Sequence, residues 1–242
     1  MISGIEYGGY TRLPYNRITV NYNWSPDGRQ IAYRSSISGH SNIFTIPADG
    51  TVTTGEAISN NTDVNLRATS PFYSPLGDVI AYVLEPKSSS VNGNVWSVCI
   101  SGNSTPVYTE AGWLRLMGWA DSGKEIYLAQ GGNQPRSLAP EDVTFLRIAV
   151  GTGKRTFILK YPSVYLHSVK LSKDGKSFAF VSRKDGKDNV YEVTHGGQAR
   201  RITNNNDSEI FLSGLSWSFD GKHLFFSKQT GRSEIWQIQH FR

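Results

Sequence analysis

A glycine that closes a tight turn returns five times along this chain, and each time it brings the same neighbours. The copies are "WSPDG" ending at Gly28, "YSPLG" at Gly77, "WADSG" at Gly123, "LSKDG" at Gly175 and "WSFDG" at Gly221, with spacings of 49, 46, 52 and 46 residues. Three residues after each glycine an apolar strand core begins: Ile31 to Tyr33, Ile80 to Tyr82, Ile126 to Leu128, Phe178 to Phe180 and Leu224 to Phe226. A third strand follows in "NIFTI" at 42, "NVWSV" at 94, "TFLRI" at 144, "NVYEV" at 189 and "EIWQI" at 234, apolar at every second position. A fourth comes after a Gly-containing turn, clearest in "GGQARRIT" from Gly196, "GKRTFIL" from Gly153 and "TPVY" from Thr105, and weakest near "EAIS" at Glu56. A four-stranded unit that recurs in one phase is the signature of propeller blades. One such sheet cannot bury both of its faces, so neighbouring copies must stack.

Each part of the repeat has a physical reason. Glycine after Asp suits a turn in which φ is positive, a region reached without strain only when there is no Cβ. The aromatic before the turn, Trp24, Tyr73, Trp119 or Trp217, is expected to pack between neighbouring blades, with Leu171 a smaller substitute. Asp27 invites reading as a catalytic carboxylate, but Asp174 and Asp220 recur in its slot while Leu76 and Ser122 fill it elsewhere, so it reads as a turn residue. These features predict one all-β domain over residues 1–242: a five-bladed β-propeller of four-stranded antiparallel blades at approximately 14–59, 60–108, 109–159, 160–203 and 204–242. The last copy stops after its third strand, and "GGYTRLP" from Gly8 resembles the fourth-strand piece "GGQARRIT". Residues 9–13 are therefore expected to complete the last blade by pairing with 234–239, which closes the ring and removes its exposed edges. The alternative is a fragment of a six-bladed or larger propeller.

Composition agrees with this class. Apolar residues make up 38% and charged residues 19%, with 24 Gly and 10 Pro, which suits short strands and turns rather than helices. The net charge of +5 would suit a polyanion if it were clustered, but Lys and Arg are spread along the chain, so no nucleic-acid partner is expected. The single cysteine, Cys99, sits in "NVWSVCI" and reads as a buried thiol that can form no intrachain disulfide. No stretch approaches the roughly 18 consecutive apolar residues of a membrane span, and "MISGIEYGGY" lacks the basic start and apolar core of a leader.

The stretch "WSPDGRQIAYRSSISGHSNIFTIPADG" resembles the repeat of the TolB-type, WD-like β-propeller family, a repeat also met in the propellers of prolyl oligopeptidase-like and dipeptidyl peptidase-like enzymes. The resemblance is strong in blades one and five, fair in two and four, and weak in three, where "GGNQPRSLAPEDVTF" lengthens a loop. TolB itself carries an N-terminal α/β domain and six blades, neither of which is visible in this sequence. The resemblance implies a soluble recognition module, often of the bacterial cell envelope and hence periplasmic or secreted, whose rim binds protein segments.

Catalytic signatures are missing from the sequence. There is no G-x-S-x-G elbow, since "GLSWS" at Gly214 ends in serine, and no H-E-x-x-H. The histidines His40, His167, His195, His223 and His240 lie far apart without ligand spacing, so neither a metal nor another cofactor is expected. "GTGKRT" at Gly151 lacks the third glycine and following helix of a dinucleotide motif. The enzyme alternative is a carbohydrate-active propeller, a glycosidase or lyase, whose loop carboxylates meet at ~5 to 9.5 Å. Its candidates are Asp63, Glu110, Asp207 and Glu209.

In a propeller, the loops from each fourth strand to the next first strand open on the same face as those between second and third strands. Six positions before the aromatic slot stand Ile18, Arg67, Trp113, Tyr165 and Phe211, and four positions before it Val20, Thr69, Arg115, His167 and Ser213. Arg67, Trp113, Arg115, Tyr165, His167 and Phe211 are the candidate ligand-binding set, an aromatic and basic rim suited to peptides or sugars. His167 would add pH sensitivity. The resulting expectation is a non-enzymatic propeller for a protein or peptide partner, with carbohydrate as the alternative ligand. A third alternative is an accessory propeller of a larger polypeptide.

Overall fold

In the computed structural model the repeated turn is built on a serine–aspartate pair. Ser25 Oγ donates to Asp27 Oδ1 at 2.6 Å, the same oxygen accepts the Arg29 N–H at 3.0 Å, and Gln30 N–H donates to Ser25 Oγ at 2.9 Å. Ser172 with Asp174 and Ser218 with Asp220 repeat the arrangement, each at 2.6 Å. Where Leu76 occupies the aspartate slot, Asp78 takes over and accepts from Ser74 Oγ. In all four turns the serine hydroxyl holds the aspartate carboxyl below the usual carboxylate range. Gly28 sits at φ 71°, as the turn requires. Asp27 is thus a turn residue.

Residues 22–36, 39–87, 95–102, 106–111, 113–131, 139–194, 197–218 and 220–230 are described. The expected pairing of 9–13 with 234–239 lies outside them. Two compact units divide the chain, one of residues 1–136 and 144–158, the other of 137–143 and 159–242. The first unit opens with an antiparallel sheet in the order β1 (Tyr22–Trp24), β2 (Gln30–Ser35), β3 (Asn42–Pro47), β4 (Glu56–Ala57). A second sheet follows in the same order: β5 (Leu66–Tyr73), β6 (Ile80–Pro86), β7 (Val95–Ile100), β8 (Tyr108–Ala111). Next come β9 (Trp113–Trp119), β10 (Glu125–Gly131), β11 (Glu141–Ala149) and β12 (Arg155–Val164), hydrogen-bonded in sequence, and the chain passes between units within β11 and β12.

Alternation decides which faces meet. Ala32 and Ile43 of the first sheet pack with Ala68, Ile80 and Tyr82 of the second. Ala81 and Val83, the opposite parity of β6, pack with Leu114, Leu116, Ile126, Leu128, Leu146 and Ile148 of β9 to β11. The second sheet thus buries both faces, as a stacked blade must.

In the second unit β13 (Lys170–Leu171), β14 (Phe178–Ser182), β15 (Asn189–Val193) and β16 (Ala199–Arg201) are hydrogen-bonded in that order within an eight-stranded sheet that also takes in β9 to β12, where separate four-stranded blades are expected, and β17 (Ile210–Trp217) pairs with β18 (Leu224–Thr230). Ala179, Val181 and Val190 pack with Leu212 and Leu215 of β17. The fourth copy departs from the expected continuous first strand. Val164, the end of β12, pairs with Ser182, a 3-10 turn spans Leu166–Ser168, and only Lys170 and Leu171 resume the ladder. Ser163 at φ 52° beside Pro162 bends the chain there, because proline gives no ladder hydrogen bond and the left-handed region redirects the strand. Among the described residues no helix is long and apolar enough to cross a membrane.

Candidate functional site

Two of the linkers from fourth to first strands, where ligand contacts are expected, are fixed by an asparagine pair, one in each unit. In the first, Asn42 Oδ1 accepts from Asn61 N–H at 2.7 Å and from Ser59 Oγ at 2.8 Å, while Asn61 Nδ2 donates to the Ser41 carbonyl at 3.1 Å. In the second, Asn189 Oδ1 accepts from Asn205 N–H at 2.8 Å and from Thr203 Oγ1 at 3.0 Å, while Asn205 Nδ2 donates to the Asp188 carbonyl at 3.1 Å. The signal was present in "SNNTD" and "TNNND", each paired with the asparagine that opens a third strand, but attention to apolar alternation passed over it.

This frame consumes two of the candidate acids. Asp63 Oδ1 accepts the Asn65 N–H and Asp207 Oδ1 the Glu209 N–H, both at 2.8 Å, so these carboxylates shape turns. Glu110 Oε2 accepts from the Tyr108 hydroxyl at 3.0 Å and lies 3.6 Å from Arg155 Nη1. Among the described residues no group of three or more His, Cys, Asp or Glu is placed to hold a metal.

In the first unit, Arg67 stands opposite Glu85 across β5 and β6, and the two side chains are ion-paired and mostly buried. Arg34, near the end of β2, feels both charges. Burial first, and then the neighbouring Arg67, lowers its guanidinium pKa, against a smaller opposing effect of Glu85. Trp113 opens β9 and is half-buried against the cluster of Leu114 and Leu116. Arg115 lies opposite Ala129, a fully buried residue, and desolvation pushes its pKa down. Among the described residues its guanidinium has no ion pair or hydrogen bond.

In the second unit, Tyr165 precedes the 3-10 turn and His167 lies exposed within it rather than on an inner strand, their rings 5.7 Å apart. The Tyr165 hydroxyl reaches Asp188 Oδ1 at 3.5 Å, and burial raises its pKa. Asp188 is 1% exposed and also accepts from Arg183 Nη1 at 2.7 Å and from the Leu212 N–H at 2.9 Å. Arg183 donates onward to the Ser208 carbonyl at 2.8 Å and lies 4.6 Å above the ring of Phe211. The second-unit candidates are thus brought together through Arg183 and Asp188, neither of which the sequence reasoning had selected, whereas Arg67 is joined to Glu85.

No family model matches the chain, and no curated protein sequence matches it. Solved structures do. A protein described as TolB from Agrobacterium tumefaciens shares 17% identity over 87% of this chain and 81% of its own, with a TM-score of 0.52. TolB from Acinetobacter baumannii shares 18% over 88% of this chain and 52% of its own, at 0.55. Dipeptidyl peptidase 4 of Porphyromonas gingivalis shares 16% over 89% of this chain and 39% of its own, at 0.56. The chain therefore spans about half of the Acinetobacter protein and about two-fifths of the peptidase. At these identities the likeness speaks for the fold alone, a TolB-type β-propeller.

Proposed function

We propose that this chain is a non-enzymatic recognition module that binds a protein or peptide segment at its loop-bearing face, through Arg67, Trp113 and Arg115 in the first unit and Tyr165, His167 and Phe211 in the second. The observation that carries the reading is Arg115, a half-buried guanidinium opposite the buried Ala129, without an ion pair or hydrogen bond among the described residues. Its guanidinium is partly desolvated, and a bound segment could offer it a charged acceptor. Trp113, two residues earlier on β9, gives an aromatic anchor beside it. The likeness to TolB structures is consistent with a binding role, although a peptidase shares the fold.

The test is selection of a displayed random-peptide library on the immobilised chain. The Trp113→Ala/Arg115→Ala double variant should lose binding of the selected peptides by about 30-fold or more while still unfolding in a cooperative transition. Undiminished binding removes these residues from the site. Turnover of a glycan panel that disappears in Glu110→Gln or Asp207→Asn would replace this reading with the enzymatic one.

We further propose five blades, closed by residues 9–13 beside 234–239. The single phase of the five sequence copies supports this count. Deleting residues 1–13 should then lower the unfolding midpoint by about 5 °C or more, and an unchanged midpoint would dismiss the clasp.

A further inference from the structure

The seam between the fourth and fifth copies departs from its counterparts in the first unit. There, the turn proline of one copy closes on the turn glycine of the next: a Cβ on Gly77 would stand 3.4 Å from Pro26 Cδ, and one on Gly123 would stand 3.6 Å from Pro75 Cδ. Behind the second of these contacts, Phe72 packs against the cluster that holds Trp119, and its carbonyl accepts the indole N–H, so that Trp119 is 5% exposed. In the second unit the same bond runs from Trp217 Nε1–H to the Lys170 carbonyl at 3.2 Å, which aligns Lys170 with Phe72 and, three residues on, Lys173 with Pro75. Two apolar fillers are thus replaced by lysines. A Cβ on Gly221 would meet no described residue within 4 Å, and Trp217 is only half-buried. The seam opens into a groove of about 470 Å³ lined by Lys170, Leu171, Lys173, Leu215 and residues 216–218.

Among the described residues, the lining carries two ammonium groups and no carboxylate. The turn aspartates beside it are directed into their own turns: Asp174 Oδ1 accepts from Ser172 Oγ and the Lys176 N–H, and Asp220 Oδ1 from Ser218 Oγ and the Lys222 N–H. Because the indole N–H is committed to the Lys170 carbonyl, Trp217 has its ring to offer, with Leu171 and Leu215 as apolar neighbours. We propose that this groove binds an aromatic carboxylate, whose ring takes the place that Phe72 fills in the first unit and whose charge meets Lys170 and Lys173. Such a group belongs to a free aromatic acid or to a peptide that ends on an aromatic residue. The volume lies in the range of small-molecule sites. Lysines suit a carboxylate that enters from open water, since they are point charges on flexible stems and do not demand the fixed two-pronged approach of an arginine. The site goes beyond the peptide reading, because it lies where β17 runs into its turn, at the opposite end of that strand from Phe211.

The experiment titrates the chain with naphthoate and with its neutral counterpart naphthamide, followed by ligand-observed NMR at fixed ionic strength. The native chain should prefer the acid by about fivefold or more, the range that partly exposed charge pairs supply. Lys170→Met/Lys173→Met should abolish that preference, and Lys124→Met, which removes an exposed turn lysine of the third copy, should keep it. Lys170→Phe/Lys173→Pro restores the fillers of the first unit, so it should lose the acid and the amide alike and unfold at a higher temperature than the native chain. Equal binding of acid and amide by the native chain, or a preference that survives Lys170→Met/Lys173→Met, overturns the proposal. Naphthoate binding retained by a folded Lys170→Phe/Lys173→Pro chain overturns it as well; should that variant fail to fold, the methionine pair decides alone. Displacement of naphthoate by the peptide Ala-Ala-Phe with a free carboxylate, but not by its amide, supports the site with a peptide end as the source. Displacement by neither, with the preference intact, supports it with a free aromatic acid. These variants leave the loop-bearing residues untouched, so their outcome stands apart from that of the peptide reading.

Discussion

Replacing Asp188 by alanine should destabilise the second unit by about 3–5 kcal/mol, the loss expected when one partner of a buried ion pair is removed. Both carboxylate oxygens are committed: one to Arg183 and the Tyr165 hydroxyl, the other to the Leu212 N–H of β17. Alanine would leave the Arg183 guanidinium, its side chain 22% exposed, without a counter-charge, and the buried Leu212 amide without an acceptor. Arg183→Met should also destabilise, because it leaves a carboxylate stranded at 1% exposure. The double variant should lose less than the two single losses added, since each removes the group that the other leaves uncompensated. Denaturant unfolding followed by Trp fluorescence reads all three. A loss for Asp188→Ala below about 1 kcal/mol, the range of surface pairs, would mean that water reaches the carboxylate. Asp27 is the internal control: it carries an equally short bond from a serine, but its side chain is 59% exposed in its turn, and its replacement should move the midpoint far less.

The contrast between these two aspartates shows what a single sequence conveys. Asp27 was legible as structural because its slot recurs with Asp174 and Asp220 and is filled by Leu76 and Ser122 elsewhere. Position in a repeat carries that information without coordinates. Asp188 occupies the slot that Ser41 fills in the first blade, and both side chains accept the N–H of the first strand of the next blade, from Ala68 and Leu212. The two residues look unrelated because the slot asks only for an acceptor, which either side chain provides. Strand positions were legible from alternation, which burial enforces on every blade face. The broken first strand of the fourth copy was not, because it depends on the backbone turn at Ser163, and the "VYLHS" that follows reads as an alternating strand. Nor were the bond of Arg183 to Asp188 and the reach of that carboxylate to Tyr165, since Arg183 directly follows the second strand β14. A rim deduced by counting back from one slot finds residues on first strands and is blind to those on second strands.

Trp119→Ala should cost about 3–5 kcal/mol, as emptying a large aromatic site in a core does. The ring is 5% exposed within the cluster of Ala81, Val83 and Ile126, and its Nε1–H donates to the Phe72 carbonyl of the preceding blade at 2.9 Å. Trp119→Phe keeps most of the apolar contact but orphans that carbonyl, so about 1–3 kcal/mol of the loss should remain. Trp217 repeats the bond one pair of blades later, donating to the Lys170 carbonyl across the same offset of 47 residues, though at 3.2 Å and with a half-buried ring. Trp24, in the same slot, is 51% exposed and its indole has no acceptor among the described residues. The alanine series should therefore rank Trp119 first, Trp217 next and Trp24 last. A loss at Trp24 equal to that at Trp119 would contradict that order, and would require its indole to be covered as fully as the one that caps Phe72.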